Sequence, residues 1–260
     1  MAAGRITGAL LAGALLFALA PAAAGVTCPA DRIDRRAAVA WVNDGDTVEL
    51  ADGTRVRLVG VNAPEFGRDG APDQPFAADA RAALVSWLEA AGERLHLRLD
   101  AERRDDYGRL LAHAFLPDGR SVSRLLLERG LAARVTVPPN TWHHACYARA
   151  ERVARAAGRG VWTLPRFAGL PAPQLPPDAG GFYIIEGTIE RVGESRYAWW
   201  LVLDSLTLRL HKRDQRHFEG LEPAALAGRS LRVRGWIYRA HGQARMNLRH
   251  PAAVEWLEPG

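Results

Sequence analysis

The chain has 260 residues, 48% hydrophobic and 24% charged, which is the composition of a folded protein with a substantial core. This composition excludes a wholly disordered chain, a collagen-like fibre and a bundle of membrane helices. The formal net charge is +5, and every basic residue except Lys212 is arginine. A guanidinium group binds phosphate through paired hydrogen bonds, so this predominance of arginine suits a polyanionic ligand. A genome composition that favours arginine over lysine explains the predominance equally well.

The first residues predict a secretory signal peptide over residues 1–24. Arg5 is followed by an apolar run and then by the small residues 22–24, which form a typical cleavage site. The run is shorter than the roughly 20 residues of a membrane span, so we expect no stable membrane partner after cleavage. The protein is therefore expected in the periplasm or outside the cell. An uncleaved N-terminal membrane anchor is the alternative.

Only two cysteines occur in the chain, Cys28 and Cys146. Both follow the predicted cleavage site, so both would reach an oxidising compartment. Disulfides form and persist in such compartments. We therefore expect these two residues to form a disulfide that ties the mature N-terminus to the last helix of the first domain.

Residue patterns predict a mainly β domain with some helix over residues 25–162. Strand patterns occur at residues 38–50, 55–61, 95–100 and 109–116. Helices are predicted at residues 76–91, 121–129 and 141–157. Strands, a helix, further strands and terminal helices favour a five-stranded barrel of the oligonucleotide-binding type with helices packed on it.

Residues 163–181 are rich in proline and show neither pattern, which predicts a semi-extended linker. Beyond it, residues 182–257 are expected to form a second, smaller β-barrel of the oligonucleotide-binding type, with a β-sandwich as the alternative. The strand patterns occur at residues 182–192, 197–204, 207–211, 231–238 and 245–248, with a helix around 223–226. Since few contacts should cross such a linker, removing the chain from Phe182 onward is expected to leave the first domain folded.

Four separated segments of the first domain carry charged and polar residues. They are DGDT at 44–47, RLVGVNAPE at 57–65, DDYGR at 105–109 and VW at 161–162. Each segment alone has an ordinary explanation, such as a hairpin turn at Asp-Gly. Together they supply cations for a phosphate, oxygen ligands for a metal and a carboxylate base, which are the groups that phosphodiester hydrolysis needs.

In their order and spacing these segments resemble the thermonuclease family, calcium-dependent nucleases built on an oligonucleotide-binding barrel. The resemblance covers approximately residues 38–162. It implies that Asp46, Asn62 and the carbonyl oxygen of Ala63 bind Ca²⁺, and that Asp44 supports the metal-binding loop. Asn62 departs from the pattern, because the family usually has an aspartate at this position. The lost negative charge is expected to weaken calcium binding.

The same resemblance implies the catalytic groups. Glu65 would activate the attacking water, and Arg57 and Arg109 would hold the phosphate and stabilise the charge of the transition state. Tyr107 and Gly108 would shape the turn that delivers Arg109. Replacing either arginine is therefore expected to damage catalysis far more than folding.

The expected function is that of an exported calcium-dependent nuclease acting on DNA, RNA or both. The alternative is a non-catalytic module on the same barrel that binds nucleic acid or protein. The family tyrosines that flank the terminal nucleotide are missing here, with Arg134 and Thr136 near their positions, so Arg134 is a candidate nucleic-acid contact.

Residues 182–257 interleave aromatic and arginine side chains, as single-strand-binding proteins do. Aromatic residues that simply fill a small barrel are the alternative explanation. The candidate nucleic-acid contacts in this region are Trp199, Trp200, Arg234, Trp236 and Arg239. The sequence does not indicate an oligomeric state.

Overall fold

The structure, a computed structural model, describes residues 27–258. The predicted signal peptide, residues 1–24, lies outside the described residues. Within residues 27–258, no helix combines the length and apolar character that a bilayer span requires. The fold is mainly β with a few helices, as the sequence patterns predict.

The strands, in chain order, are β1 (Arg35–Val42), β2 (Thr47–Leu50), β3 (Arg55–Leu58), β4 (Val61–Asn62), β5 (Arg94–Arg104), β6 (Leu110–Phe115), β7 (Ala133–Arg134), β8 (Leu170–Pro171), β9 (Gly181–Thr188), β10 (Arg191–Glu194), β11 (Ala198–Leu203), β12 (Leu206–His211), β13 (Ser230–Ala240), β14 (Gln243–Leu248) and β15 (Val254–Trp256). The α-helices are α1 (Ala77–Ala90), α2 (Val122–Glu128), α3 (His144–Ala156) and α4 (Pro165–Ala168).

The first sheet closes into a five-stranded barrel in the order β1-β2-β3-β6-β5. All neighbouring pairs are antiparallel except β3 and β6, which run parallel. Alternate residues of the strands point inward, so Val48, Val56, Leu58 and Leu97 are fully buried. The barrel core continues into the apolar faces of α1, α2 and α3, where Leu84 is fully buried. The predicted five-stranded barrel with packed helices is confirmed.

A two-stranded ladder outside the barrel fixes the segment that follows β3. The short strand β4 pairs antiparallel with β7, which places Asn62 opposite Ala133. The chain turns into β4 at Gly60, whose φ is +86°. A Cβ at this position would lie 2.4 Å from the ring of Tyr147, so only glycine fits here.

Residues beyond the barrel form a curled eight-stranded sheet. Seven of its strands follow the order β10-β11-β12-β14-β13-β9-β8, and the eighth, β15, pairs antiparallel with β13. Its core contains the fully buried Leu208 and Met246. It has more strands than the five expected from the sequence, because β8 and β15 are added and the predicted strand at residues 182–192 is divided into β9 and β10. The predicted helix around 223–226 is a single 3₁₀ turn, Pro223–Ala225.

The proline-rich segment packs against the second sheet and against residues of the first domain outside its barrel sheet, which corrects the expectation of a linker with few contacts. It folds into α4 and into β8, which pairs parallel with β9. Phe167 of α4 forms a cluster with Trp162 from the first domain and with Phe182 and Ile184 of β9. Removing the chain from Phe182 onward would expose this shared core, so it is expected to destabilise the first domain.

A buried ion-pair network joins α3 and β7 of the first domain to the second sheet. Glu151 of α3 is only 2% exposed and contacts the guanidinium groups of Arg134 and Arg234 at 3.3 and 2.7 Å. Glu255 of β15 pairs with Arg234 and Arg155 at 3.1 and 2.9 Å. Since a buried charge is costly unless it is paired, these contacts hold the two sheets in one arrangement.

Cys28 and Cys146 form a disulfide in the structure, with their Cα atoms 5.9 Å apart. The bond connects the segment before β1 to helix α3 across 118 residues of sequence. In the chain-entropy description, closing a loop of this length stabilises the folded state by about 4–5 kcal/mol. The disulfide therefore secures the first described residues against the barrel domain.

Candidate active site

The loop between β1 and β2 carries Asp44 and Asp46. The Asp44 carboxylate accepts a hydrogen bond from the backbone N–H of Asp46 at 2.9 Å, which closes a tight turn. A Cβ on the intervening Gly45 would lie 2.6 Å from Ala80 of α1 and 2.7 Å from Ala63. Glycine is therefore required for the loop to approach the helix, and this approach buries Asp46.

Asp46 is buried and paired with Arg57 of β3. Its Oδ2 atom lies 3.0 Å from Nη2 of Arg57 and accepts the N–H of Ala63 at 2.7 Å. Burial raises the pKa of Asp46 to about 7, while Arg57 acts to lower it and Asp44 raises it further. Arg57 alone therefore does not fully compensate the buried negative charge at this position.

Asn62 and Ala63 lie beside this pair. The Asn62 side chain is buried, and its Oδ1 accepts a hydrogen bond from Nη2 of Arg57 at 3.4 Å. The same guanidinium nitrogen thus contacts oxygens of both Asp46 and Asn62. Oxygen donors of this kind suit a hard divalent cation such as calcium. Because burial raises the pKa of Asp46, a nearby cation would stabilise its charged form. The residues present therefore fit such an ion.

Carboxylates other than Asp46 are scarce at this position. Within residues 27–258, no three His, Cys, Asp or Glu side chains converge as a metal-binding cluster. Of the three predicted ligands, Asp46, Asn62 and the Ala63 carbonyl, only Asp46 is a carboxylate.

Arg109 precedes β6 and is oriented by Asp105. One carboxylate oxygen of Asp105 accepts the backbone N–H of Arg109 at 2.9 Å, and the other accepts its Nε–H at 2.7 Å. Burial acts to raise the pKa of Asp105, but these hydrogen bonds and the Arg109 charge hold it below its usual value. Asp105 is a positioning residue to which the sequence pattern assigned no role, although an aspartate four residues before an arginine in a turn is its signature.

Arg57 and Arg109 line the same cavity, which has a volume of about 360 Å³. Acidic side chains also line it, including Glu102 and Asp106. One wall is formed by Trp236 and Arg249 from the second sheet. Trp236 was a predicted contact, whereas Arg249 was not among the predicted contacts.

Glu65 is exposed and does not line this cavity. It lies in the loop after β4, close enough to α4 for its charge to influence Arg166. Burial lowers the pKa of Arg166, and Tyr183 and Glu65 partly oppose this effect. Glu65 thus does not share the cavity wall that Arg57 and Arg109 form.

Two predicted nucleic-acid contacts are corrected by the structure. Arg134 is buried, pairs with Glu151 and donates a hydrogen bond to the carbonyl of Ala252 at 2.7 Å. Arg234 is also buried, between Glu151 and Glu255. Both guanidinium groups are engaged in ion pairs between the first domain and the second sheet, so their positive charges are largely compensated.

The remaining predicted contacts lie at different places on the second sheet. Trp199 packs against the core of that sheet. Trp200 and Arg239 line a separate cavity of about 590 Å³. Only Trp236 joins the cavity that contains Arg57. Their contact with nucleic acid stays a prediction.

Comparisons with known proteins match the barrel domain. The family model described as "Staphylococcal nuclease homologue" matches residues 55–164. The "Thermonuclease" of Staphylococcus intermedius is 35% identical over 124 residues, which cover 46% of this chain and 72% of that protein. The "Succinoglycan biosynthesis protein ExoI" of Rhizobium meliloti (strain 1021) is 35% identical over 127 residues, which cover 47% of this chain and 62% of that protein.

The "Endonuclease YncB" of Bacillus subtilis (strain 168) is 34% identical over 125 residues, covering 46% of this chain and 58% of that protein. The match thus spans less than two thirds of the Rhizobium and Bacillus proteins. Trp236 and Arg249 lie outside the residues that the family model matches.

Proposed function

We propose, because this chain belongs to the thermonuclease family, that it is an exported nuclease that uses calcium to hydrolyse phosphodiester bonds of DNA, RNA or both. One observation carries the proposal: Arg57 and Arg109 line a single cavity, and behind Arg57 lie the oxygen donors of Asp46 and Asn62. Cations and oxygen donors placed in this way suit a phosphate with a bound metal ion.

Each residue has a defined task in this proposal. Arg57 and Arg109 bind the phosphate oxygens, whose negative charge increases in the transition state. Glu65 accepts a proton from the attacking water. The water oxygen forms a bond to phosphorus, the bond to one sugar oxygen breaks, and that oxygen takes up a proton from solvent.

The calcium ion would be held by Asp46, Asn62 and the carbonyl oxygen of Ala63. When bound, calcium supplies Lewis-acid chemistry to the phosphate. Asp44 supports this arrangement through its hydrogen bond to the N–H of Asp46. Arg57 lies 3.0 Å from Oδ2 of Asp46 and compensates part of its charge.

Export is supported by two features. The apolar sequence at residues 6–20, followed by small residues, is typical of a cleaved signal peptide. The disulfide between Cys28 and Cys146 suits an oxidising compartment such as the periplasm or the cell exterior.

Arg109→Ala tests the phosphate-binding role. We expect kcat to fall by about 10²–10³-fold, because one donor to the transition-state charge is removed. The free energy of unfolding should change by less than about 1 kcal/mol, since the Arg109–Asp105 pair is partly exposed. The measurement is the cleavage rate at saturating single-stranded DNA, together with urea unfolding.

Arg103→Ala is the matched control, because Arg103 is an exposed arginine on β5 that does not line the cavity. It should cleave at the parent rate. Equal rates for Arg109→Ala and Arg103→Ala would exclude Arg109 from the phosphate site. The structure changes the expectation for Arg57, whose removal would leave the buried Asp46 unpaired and would thus also destabilise the fold by about 3–5 kcal/mol.

Asn62→Asp tests the metal site. The substitution adds one anionic oxygen at nearly constant volume, so calcium should bind roughly 10–100-fold more tightly. Cleavage at limiting calcium should increase accordingly, and the gain should shrink at saturation. Without calcium the variant should be less stable than the parent. Its new carboxylate would lie beside Asp46, on the same guanidinium nitrogen of Arg57, and the two negative charges would repel each other.

Calorimetric calcium titration and the calcium dependence of the cleavage rate measure these effects. Matching titration curves for the parent and Asn62→Asp would show that residue 62 does not bind the ion. A parent that binds nucleic acid but never cleaves it would instead support a binding module.

A further inference from the structure

The second sheet contributes one wall of the cavity that holds Arg57 and Arg109. Trp236 lies on β13 and Arg249 directly follows β14, and both line this cavity. A tryptophan is usually well buried, yet Trp236 is 42% exposed. An exposed indole beside two arginines is the arrangement in which a nucleotide base can stack.

Trp236 is held in position from behind. Its ring meets the ring of Phe182 edge-to-face, with centroids 5.3 Å apart. Phe182 is its direct neighbour on β9 in the strand register, and it belongs to the core shared by the two sheets. The indole is thus fixed on one side and open on the other, so little conformational entropy is lost when a ligand stacks on it.

A second cavity, of about 240 Å³, adjoins the first. The two share the lining residues Val135, Val137, Trp236 and Arg249, so they meet at the indole. The second cavity continues past Tyr238 and Asn247 of the second sheet. A strand of nucleic acid leaving the phosphate site would therefore pass across Trp236.

Arg249 offers a positive charge at this junction. Its Nη2 donates a hydrogen bond to the carbonyl of Pro138 at 2.9 Å, which orients the guanidinium group. Its Nε lies 3.9 Å from Oδ2 of Asp214, which forms a long ion pair with it. Asp214 compensates this charge only in part at that distance, and the Arg249 side chain is 39% exposed, so its guanidinium group can still bind a phosphate.

We propose that Trp236 and Arg249 form a nucleotide subsite for single-stranded nucleic acid. Trp236 stacks on a base next to the phosphate held by Arg57 and Arg109, and Arg249 binds a neighbouring phosphate. Bases of a duplex are already stacked on one another, so the subsite favours single-stranded substrates. This inference rests on the proposed nuclease function and names its substrate form.

Steady-state cleavage of hexathymidylate by the full mature chain tests the subsite. Trp236→Ala should raise KM about 10–100-fold with kcat little changed, because stacking is lost while the catalytic groups remain. Trp236→Phe should recover most of the affinity, whereas Trp236→Leu, which keeps apolar contact with Phe182, should not. Cleavage of a DNA duplex should be unaffected by all three changes.

Trp256→Ala is the matched control, since Trp256 is 38% exposed on β15 and lines neither cavity. Arg249→Gln should reduce the salt dependence of hexathymidylate binding by about 0.7 in log–log slope, as expected for one lost phosphate contact. Parent-like KM values in Trp236→Leu, or a loss equal to that of Trp256→Ala, would overturn the proposal.

Binding of fluorescein-labelled hexathymidylate, followed by anisotropy in a Glu65→Gln background, separates this inference from the nuclease proposal. Weaker binding of the Trp236→Leu variant would support the subsite even if the parent did not cleave. If the Trp236→Leu variant bound as tightly as the parent and the parent did cleave, the subsite would be contradicted and the nuclease function would stand.

Discussion

Changing Glu65 to glutamine is expected to slow phosphodiester cleavage by about 10²–10⁴-fold, the usual contribution of a general base. Glutamine has nearly the same shape but cannot accept the proton of the attacking water. The Glu65 side chain is exposed, so the free energy of unfolding should stay within about 0.5 kcal/mol of the parent. Single-turnover cleavage and urea unfolding measure the two effects.

Glu102→Gln is an informative control, because Glu102 lines the cavity that contains Arg57 and Arg109 whereas Glu65 does not. We expect this variant to cleave at nearly the parent rate. A large loss in Glu102→Gln combined with a normal rate in Glu65→Gln would assign the base to the cavity wall and contradict the role proposed for Glu65.

Changing Glu151 to glutamine is expected to destabilise the fold by about 3–5 kcal/mol, the typical effect of removing one partner from a buried ion pair. Its carboxylate lies between Arg134 and Arg234 and accepts the backbone N–H of Arg134 at 2.8 Å. Burial and the neighbouring Arg234 already lower the pKa of Arg134 to about 10. Without the Glu151 charge, the two guanidinium groups would repel each other in a buried site.

Urea unfolding at neutral pH measures this loss, and Glu128→Gln is its control. Glu128 pairs with Arg124 one helical turn away in a partly exposed position, so its replacement should cost less than about 0.5 kcal/mol. A loss of similar size in both variants would show that the Glu151 network does not stabilise the contact between the sheets.

The barrel and its family were predictable because their signals are local. Gly45 and Gly60 stand in short motifs whose close packing leaves no space for a side chain, and alternating apolar residues show which side of a strand is buried. The order of these motifs along the chain carried the resemblance to the thermonuclease family. The candidate base, phosphate-binding and metal-binding residues were proposed from the same motifs.

The contact between the two sheets was not predictable in this way. Glu151 is 83 residues from Arg234 in sequence, and nothing near either residue shows that they meet. Arg134 and Arg234 were therefore interpreted as nucleic-acid contacts, although each neutralises a buried carboxylate. Proline-rich composition likewise predicts an extended backbone, but it does not show what that backbone packs against.

The position of Trp236 at the cavity was not predictable from the sequence for the same reason. Its alternation with arginines on β13 indicates an aromatic and basic surface, but only the fold shows that this surface reaches the cavity of Arg57 and Arg109. Residues that line one site from two separate sheets share no sequence spacing. Their proximity depends on the relative position of the sheets, which the Glu151 network and the Phe167 cluster determine.

Cleavage of an end-labelled single-stranded DNA by the full mature chain is the most direct test of the proposed function. The rate is measured with calcium, after chelation and after calcium is restored. We expect cleavage with calcium, loss of cleavage on chelation and recovery on re-addition. Binding of the DNA without any cleavage in calcium, or a rate that chelation leaves unchanged, would contradict the proposal of a calcium-dependent nuclease.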